Sequence, residues 1–444
     1  MKIIERSIYT IVITTITGLP LINFLRYCNH LAETGYYQYF RQSYLIYTLL
    51  PMLLVIYIYG IVKKKFKITY TDIFVYILAI VGIISTISAI DVKKSIFGEV
   101  IRYEGLLALF YYYLLFLNVK NIRNENYKKN IIKVLIITSI VTFIYSVLQV
   151  YTTSPLIMHF TNPYMAIGTN GNPNFYGSYM VMLTLIPVVL YLIKGERKYF
   201  ILSIVFFMGL CLANSSGPFL GFLLAYIFFF LVFFKKIKKK KFILLTIILT
   251  LMFFTVDKTV VFVHEYKFNN AISADYNIKK DMSKSLKIIK NTLKTGQSLK
   301  DQNLGSGRLH IWTNTIPAVK KYFLFGCGID NFALVYPQSG HLIFDKAHNV
   351  YLQMLVTNGI YALIVYCIIC LNIFLRGFTF KNPFQIALFI AFVGYSIQAF
   401  ANISVIDVAP IFYIILGLLY TYIPNKKKIK IERLEIKEQV VARI

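Results

Sequence analysis

Apolar residues fall in long blocks along this chain, and polar residues collect between the blocks. The blocks run through 7–25, 43–62, 71–90, 104–118, 131–151, 173–193, 199–214, 217–234, 242–256, 349–371, 382–401 and 408–423. Their polarity does not alternate residue by residue, which argues against barrel strands. Most approach the ~20 residues an α-helix needs to cross a bilayer. The pattern predicts an all-α integral membrane protein with about 12 transmembrane helices. The fourth, seventh and last blocks are short. One long polar segment precedes the tenth block. The chain therefore divides into an N-terminal transmembrane bundle of about nine helices over 1–256, an extracytoplasmic loop over 257–348, C-terminal transmembrane helices over 349–423 and a basic tail over 424–444.

Charge adds orientation. Lys2 and Arg6, Lys63 to Lys65, Lys120 and Arg123, Lys194 to Lys198, Lys235 to Lys241, Arg376 and Lys381, and Lys426 to Lys428 place a basic cluster at every second connection. Lys and Arg concentrate on the cytoplasmic side of short loops, so both termini are expected there and the long segment outside. The 444 residues carry a net charge of +28, but these runs flank apolar blocks, which argues against a nucleic-acid partner. A mean hydropathy of +0.64 agrees with a lipid-bilayer setting. Residues 281–294 read as an amphipathic helix, with Met282, Leu286, Ile289 and Leu293 on one face. Cys367 and Cys370 form a C-x-x-C inside an apolar block and read as packing residues. Neither a metal framework nor a cofactor motif is evident.

Chemistry concentrates near the outer ends of the blocks. Arg308 follows Gly305-Ser306-Gly307, a turn that lets backbone N–H groups approach an anion. Trp312 shares its helical face. His348, with a reference pKa of about 6.5, stands where the long segment enters the tenth block and suits general-base work. Asn349, Gln353 and Thr357 recur every four residues and form a polar stripe, which inside a membrane faces the bundle or a wet cavity. His310 would point away from Arg308. Phe325-Gly-Cys-Gly-Ile-Asp-Asn-Phe332 is a glycine turn that folds the segment back over the bundle; Asp330 either caps it or orients a sugar hydroxyl. Arg102, at the opening of the fourth block, is the second candidate anion ligand, with Glu104 expected to neutralise it. Asn172 and Asn174, around Pro173, either cap a helix or bind sugar hydroxyls.

At these residues the chain resembles the bacterial O-antigen ligase/O-antigen polymerase superfamily of membrane glycosyltransferases. The resemblance rests on Gly307-Arg308 with Ile311-Trp312, on Phe325-Gly-x-Gly-x-Asp-Asn-Phe332, on His348-Asn349-x-Tyr-Leu-Gln353 with Gly359, and on Asn172-Pro-Asn174 and Arg102-Tyr-Glu-Gly105. It implies an inverting, metal-independent transfer on the outer face of the bacterial plasma membrane, without a cofactor. The donor would be a glycan on undecaprenyl diphosphate. The acceptor would be a hydroxyl of a glycan, a lipid-linked sugar or a protein. Arg308 would clamp the diphosphate, and His348 would activate the acceptor or help hold the phosphates. Relatives often carry an arginine where this chain has Ser216, so Arg102 or an outer lysine would take that charge.

Other readings use the same features. A polytopic transporter or flippase of a lipid-linked or anionic substrate fits the span count and the polar stripe, although no two-half repeat is visible. A cell-wall glycan polymerase of the shape and division class would rely on Asp330 or Asp345 as an acid rather than on His348. A non-catalytic membrane scaffold is the third.

Overall fold

The computed structural model describes residues 1–28, 43–99, 102–152, 157, 162–263, 307–337 and 344–421. Within them every regular element is helical: α1 (Lys2–Cys28), α2 (Leu50–Val62, led in by a π-turn at Ser43–Leu49), α3 (Tyr70–Ile87), α4 (Val92–Phe97), α5 (Leu106–Val119), α6 (Glu125–Tyr151), α7 (Pro173–Lys194), α8 (Arg197–Ala213), α9 (Ser216–Phe233), α10 (Lys239–Phe262), α11 (Arg308–Lys321), α12 (Phe332–Val335), α13 (Val350–Gly377), α14 (Pro383–Gln398) and α15 (Ala409–Thr421). The amphipathic stretch 281–294, the pair Gly305-Ser306 and the tail 424–444 lie outside the described residues.

Each apolar block is helical, but nine helices among the described residues are long and apolar enough to cross a membrane. The shortfall from about twelve lies in α5, α8 and α15, with 14, 17 and 13 residues. At 1.5 Å per residue they span about 20–26 Å, short of the ~30 Å hydrocarbon core.

Burial sorts the helices into a centre and a rim. In α7 94 % of the most apolar stretch is buried, against 22 % in α10. The rim helices turn Val62, Val141 and Leu251 outward, where only lipid is an agreeable neighbour. At the centre, small residues bring backbones together: a Cβ on Gly221 of α9 would stand 2.8 Å from the Gly394 carbonyl of α14. Polar side chains bridge the helices where water is excluded. Ser139 pairs with Tyr179 at 2.6 Å, Thr15 with Tyr111 at 2.7 Å, and Ser178 with Gln398 at 2.9 Å.

The basic connections meet one another. Arg123 donates to the Lys65 carbonyl, Lys238 to that of Lys194, Lys241 to that of Gly195, and Lys236 to that of Phe380. Glu5 of α1 accepts from the Asn124 amide at the same end. The charged loops that alternation assigned to one side are thus neighbours in space. The polar residues singled out for chemistry lie toward the other ends of these helices.

Candidate functional site

A break in α13 forms the floor of the site. Gly359 has φ 83° and ψ 176°, so the helical ladder is interrupted there. The turn 323–328 replaces the lost bonds. Cys327 N–H donates to the Val356 carbonyl at 2.9 Å, and Gly328 N–H to that of Thr357 at 3.1 Å. Ser85 of α3 also donates to Thr357 O at 2.7 Å, and Ile360 N–H reaches Phe323 O at 2.8 Å. Such irregular backbone is tolerated at membrane depth because its polar groups are satisfied by protein. The approach demands glycine: a Cβ on Gly326 would lie 2.2 Å from Thr357 O, and one on Gly359 2.1 Å from Leu324 O.

Above this floor Glu99, the stretch 102–105 and the segments 325–331 and 344–349 are tied by charge and hydrogen bonds. Lys346 is buried and ion-paired with Asp330, and its ammonium lies 3.8 Å from Glu104. The second Asp330 oxygen accepts from the Glu99 amide at 2.7 Å, and Tyr112 donates to Glu104 at 3.0 Å. Burial alone would lower the Lys346 pKa; the charges of Asp330 and Glu104 overcome it and raise it. Burial pushes the Glu104 carboxyl up to about 7, against the pull of Lys346. Beside this cluster is a cavity of about 80 Å³, lined among others by Glu104, Lys346, Gln353, Thr357 and Ser404. Two residues of the polar stripe on α13, Gln353 and Thr357, thus line this cavity.

His348 lies between fixed neighbours. Trp312 donates to the Ala347 carbonyl at 3.0 Å, and Gln353 accepts from the Ala347 amide at 2.7 Å. Asn349 caps α13, accepting from Tyr351 and Leu352 amides at 3.0 and 3.1 Å. His348 itself has φ +49°, a left-handed conformation that costs energy in a residue other than glycine. Arg308 opens α11 after Gly307 at φ +79° and is 9 % exposed. Burial, and next the Arg308 charge, push the His348 imidazole down to about 4, with Asp345 pulling the other way.

Arg102 is ion-paired with Asp345 and stacks over the Phe175 ring at 5.6 Å. Burial would raise the Asp345 carboxyl, but the hydrogen bond and charge of Arg102 hold it below the usual range. The expected pairing of Arg102 with Glu104 is therefore corrected: Asp345 takes Arg102, and Glu104 goes to Lys346 and Tyr112. His310 meets Asn314, four residues on along α11, at 2.9 Å.

The structure gathers Arg308, His348, Arg102, Asp330, Asn349, Gln353 and Trp312 around 344–349. Asn172 and Asn174 belong to a neighbouring wall. Asn172 caps α7 by accepting from the Asn174 amide at 2.9 Å, and Asn174 accepts from Ser215 at 2.5 Å. Phe175, under Arg102, joins that wall to the site. Ser216 is the first residue of α9. Sequence reading did not single out Lys346 or Glu99. The signal for Lys346 was its place in Asp345-Lys-Ala-His348, a charged pair directly before the candidate base.

Residues 200–367 match the O-antigen ligase family model, a stretch that contains Arg308, the glycine turn and His348. The match supports the resemblance to the O-antigen ligase/polymerase superfamily. A search of curated proteins gives no match.

Proposed function

We propose that this multi-pass membrane protein is a glycosyltransferase that moves a glycan from undecaprenyl diphosphate to an acceptor hydroxyl at the outer face of the plasma membrane. The observation that carries the reading is a buried arginine beside a neutral histidine, at one end of an apolar bundle and inside the matched stretch. A polyprenol tail needs an apolar surface, and the nine long apolar helices among the described residues offer one. A diphosphate head needs fixed cations, and arginine binds phosphate in bidentate fashion.

In this reading the acceptor oxygen gives its proton to His348 as it attacks the anomeric carbon. The bond from that carbon to the diphosphate oxygen breaks, and undecaprenyl diphosphate leaves with the electron pair. Charge grows on the leaving group, so Arg308 contributes more in the transition state than before it. Arg102 engages Asp345 through Nε, which leaves its two terminal nitrogens for phosphate oxygens. Lys346 is already held by two carboxylates, so Arg102 is the better substitute for a cation at Ser216. Trp312, Gln353 and Asn349 act through Ala347 and the start of α13 to hold His348 in place. Asp330 acts through Lys346.

The test is transfer by the purified protein, with undecaprenyl-diphosphate glycan and an acceptor extract from its host. Release of undecaprenyl diphosphate together with a larger glycan is expected. Arg308→Ala and His348→Ala should each lower the rate by at least about a hundredfold with insertion unchanged. His310→Ala should stay near the parent rate. One addition identifies a ligase, and a ladder identifies a polymerase. Normal transfer by Arg308→Ala would sink the diphosphate clamp.

A further inference from the structure

A second cavity, of about 250 Å³, lies beside the site and is lined by Asn162, Met165, Asn172, Pro173, Asn174, Asn214 and Ser215. None of these side chains is charged. Three of its four asparagines have their oxygens engaged by the protein itself. Asn162 accepts from the Tyr164 amide at 3.0 Å, Asn172 from the Asn174 amide, and Asn174 from Ser215. A backbone N–H requires an oxygen opposite it, so the orientation of the Asn162 and Asn172 amides is fixed. Their NH₂ groups make no protein hydrogen bond among the described residues, and the same holds for Asn174. Asn214 adds a further amide from a left-handed position, φ +46°. Met165 and Pro173 supply apolar surface between these donors.

We propose that this cavity is a subsite for one neutral sugar ring. Several fixed donors without charge match hydroxyl and acetamido oxygens, and the apolar patches match the C–H face of a ring. An anion would find no cation among the described lining residues, and a lipid tail would leave the amides unpaired. The size is just below the ~300–1,000 Å³ of drug-sized pockets and suits one ring rather than a chain. The position is consistent with transfer. Phe175 follows Asn174 and lies under Arg102, and Arg102 is paired with Asp345, three residues before His348. A ring held here is a neighbour of the diphosphate and of the base. The inference rests on the transfer reading for its role, but its binding claim is separable.

The experiment is saturation-transfer NMR on the full chain in detergent, with methyl glucoside, methyl N-acetylglucosaminide and methyl glucuronide as probes. Asn172→Asp with Asn174→Asp keeps the helix cap and the acceptor for Ser215, and replaces both NH₂ donors with oxygen. Asn214→Gly removes a third amide at a position glycine tolerates. At least one neutral probe should bind the parent and outcompete the glucuronide. Binding should fall about tenfold or more in the double variant and also fall in Asn214→Gly. His348→Ala should bind the neutral probe like the parent. A rise in acceptor KM in the double variant assigns the ring to the acceptor, and a rise in donor KM assigns it to the donor. Absence of binding by either neutral probe, or binding unchanged in both asparagine variants, overturns the subsite. Absence of transfer by the parent protein, with probe binding intact, would instead count against the transfer reading.

Discussion

At the scale of single residues, His348 is placed by its neighbours. The Ala347 peptide groups are held by Trp312 and Gln353, and Asn349 caps the helix that follows. This leaves the imidazole half-buried and flanked by cations, and burial, then the Arg308 charge, push its pKa down to about 4. A general base must be unprotonated, so activity should fall as pH drops through that value. The acid limb of kcat/KM, which reports free enzyme, is expected near pH 4. Bound diphosphate offsets Arg308 and Arg102, so the acid limb of kcat should lie higher. A pH–rate series at low and saturating donor checks both, and coincident limbs would count against charge coupling. Lys346 makes a separate case. Removing its ammonium strands the Asp330 carboxylate, which is 0 % exposed in its side chain. Lys346→Met should therefore cost about 3–5 kcal/mol, and adding Asp330→Asn should recover part of it. Thermal unfolding in detergent measures both. Arg308 and His348 could be picked out as candidates in the sequence because an arginine after two glycines and a histidine at the head of an apolar block are unusual in an apolar chain. The partner of Arg102 was not, because Asp345 lies 243 positions away.

At the scale of elements, the informative feature is the interrupted helix α13. Its apolar block, 349–371, reads as one continuous span through Gly359. The break exists because the turn 323–328 donates to the carbonyls that it frees. A lone helix could not sustain it, since unpaired backbone groups in an apolar setting are costly. Gly359→Ala would need a left-handed alanine with its Cβ 2.1 Å from Leu324 O. The backbone conformation alone, in a region essentially reserved for glycine, costs about 1–3 kcal/mol, and the clash adds to it. Lower thermal stability and loss of transfer are expected. A variant with parent stability and activity would show that the turn does not dock into the break.

At the scale of the molecule, the polar site lies toward one end of the bundle and the basic connections meet at the other. Lys198 and Lys320 are exposed positions that should mark the two sides. In a variant without its own cysteines, Lys198→Cys should react with an impermeant thiol reagent only after the cytoplasmic side is opened. Lys320→Cys should react in intact cells. Labelling of both from one side would overturn the orientation. The amino-acid sequence by itself determined that the chain is a helical membrane protein, because long apolar blocks and flanking lysines are local properties of composition and order. It also marked Arg308, His348 and the glycine turn. Tertiary structure alone decided which charges pair, where α13 breaks and which asparagines share a cavity. Those outcomes depend on satisfying buried charges and backbone groups with partners from distant segments, and no local pattern encodes that choice.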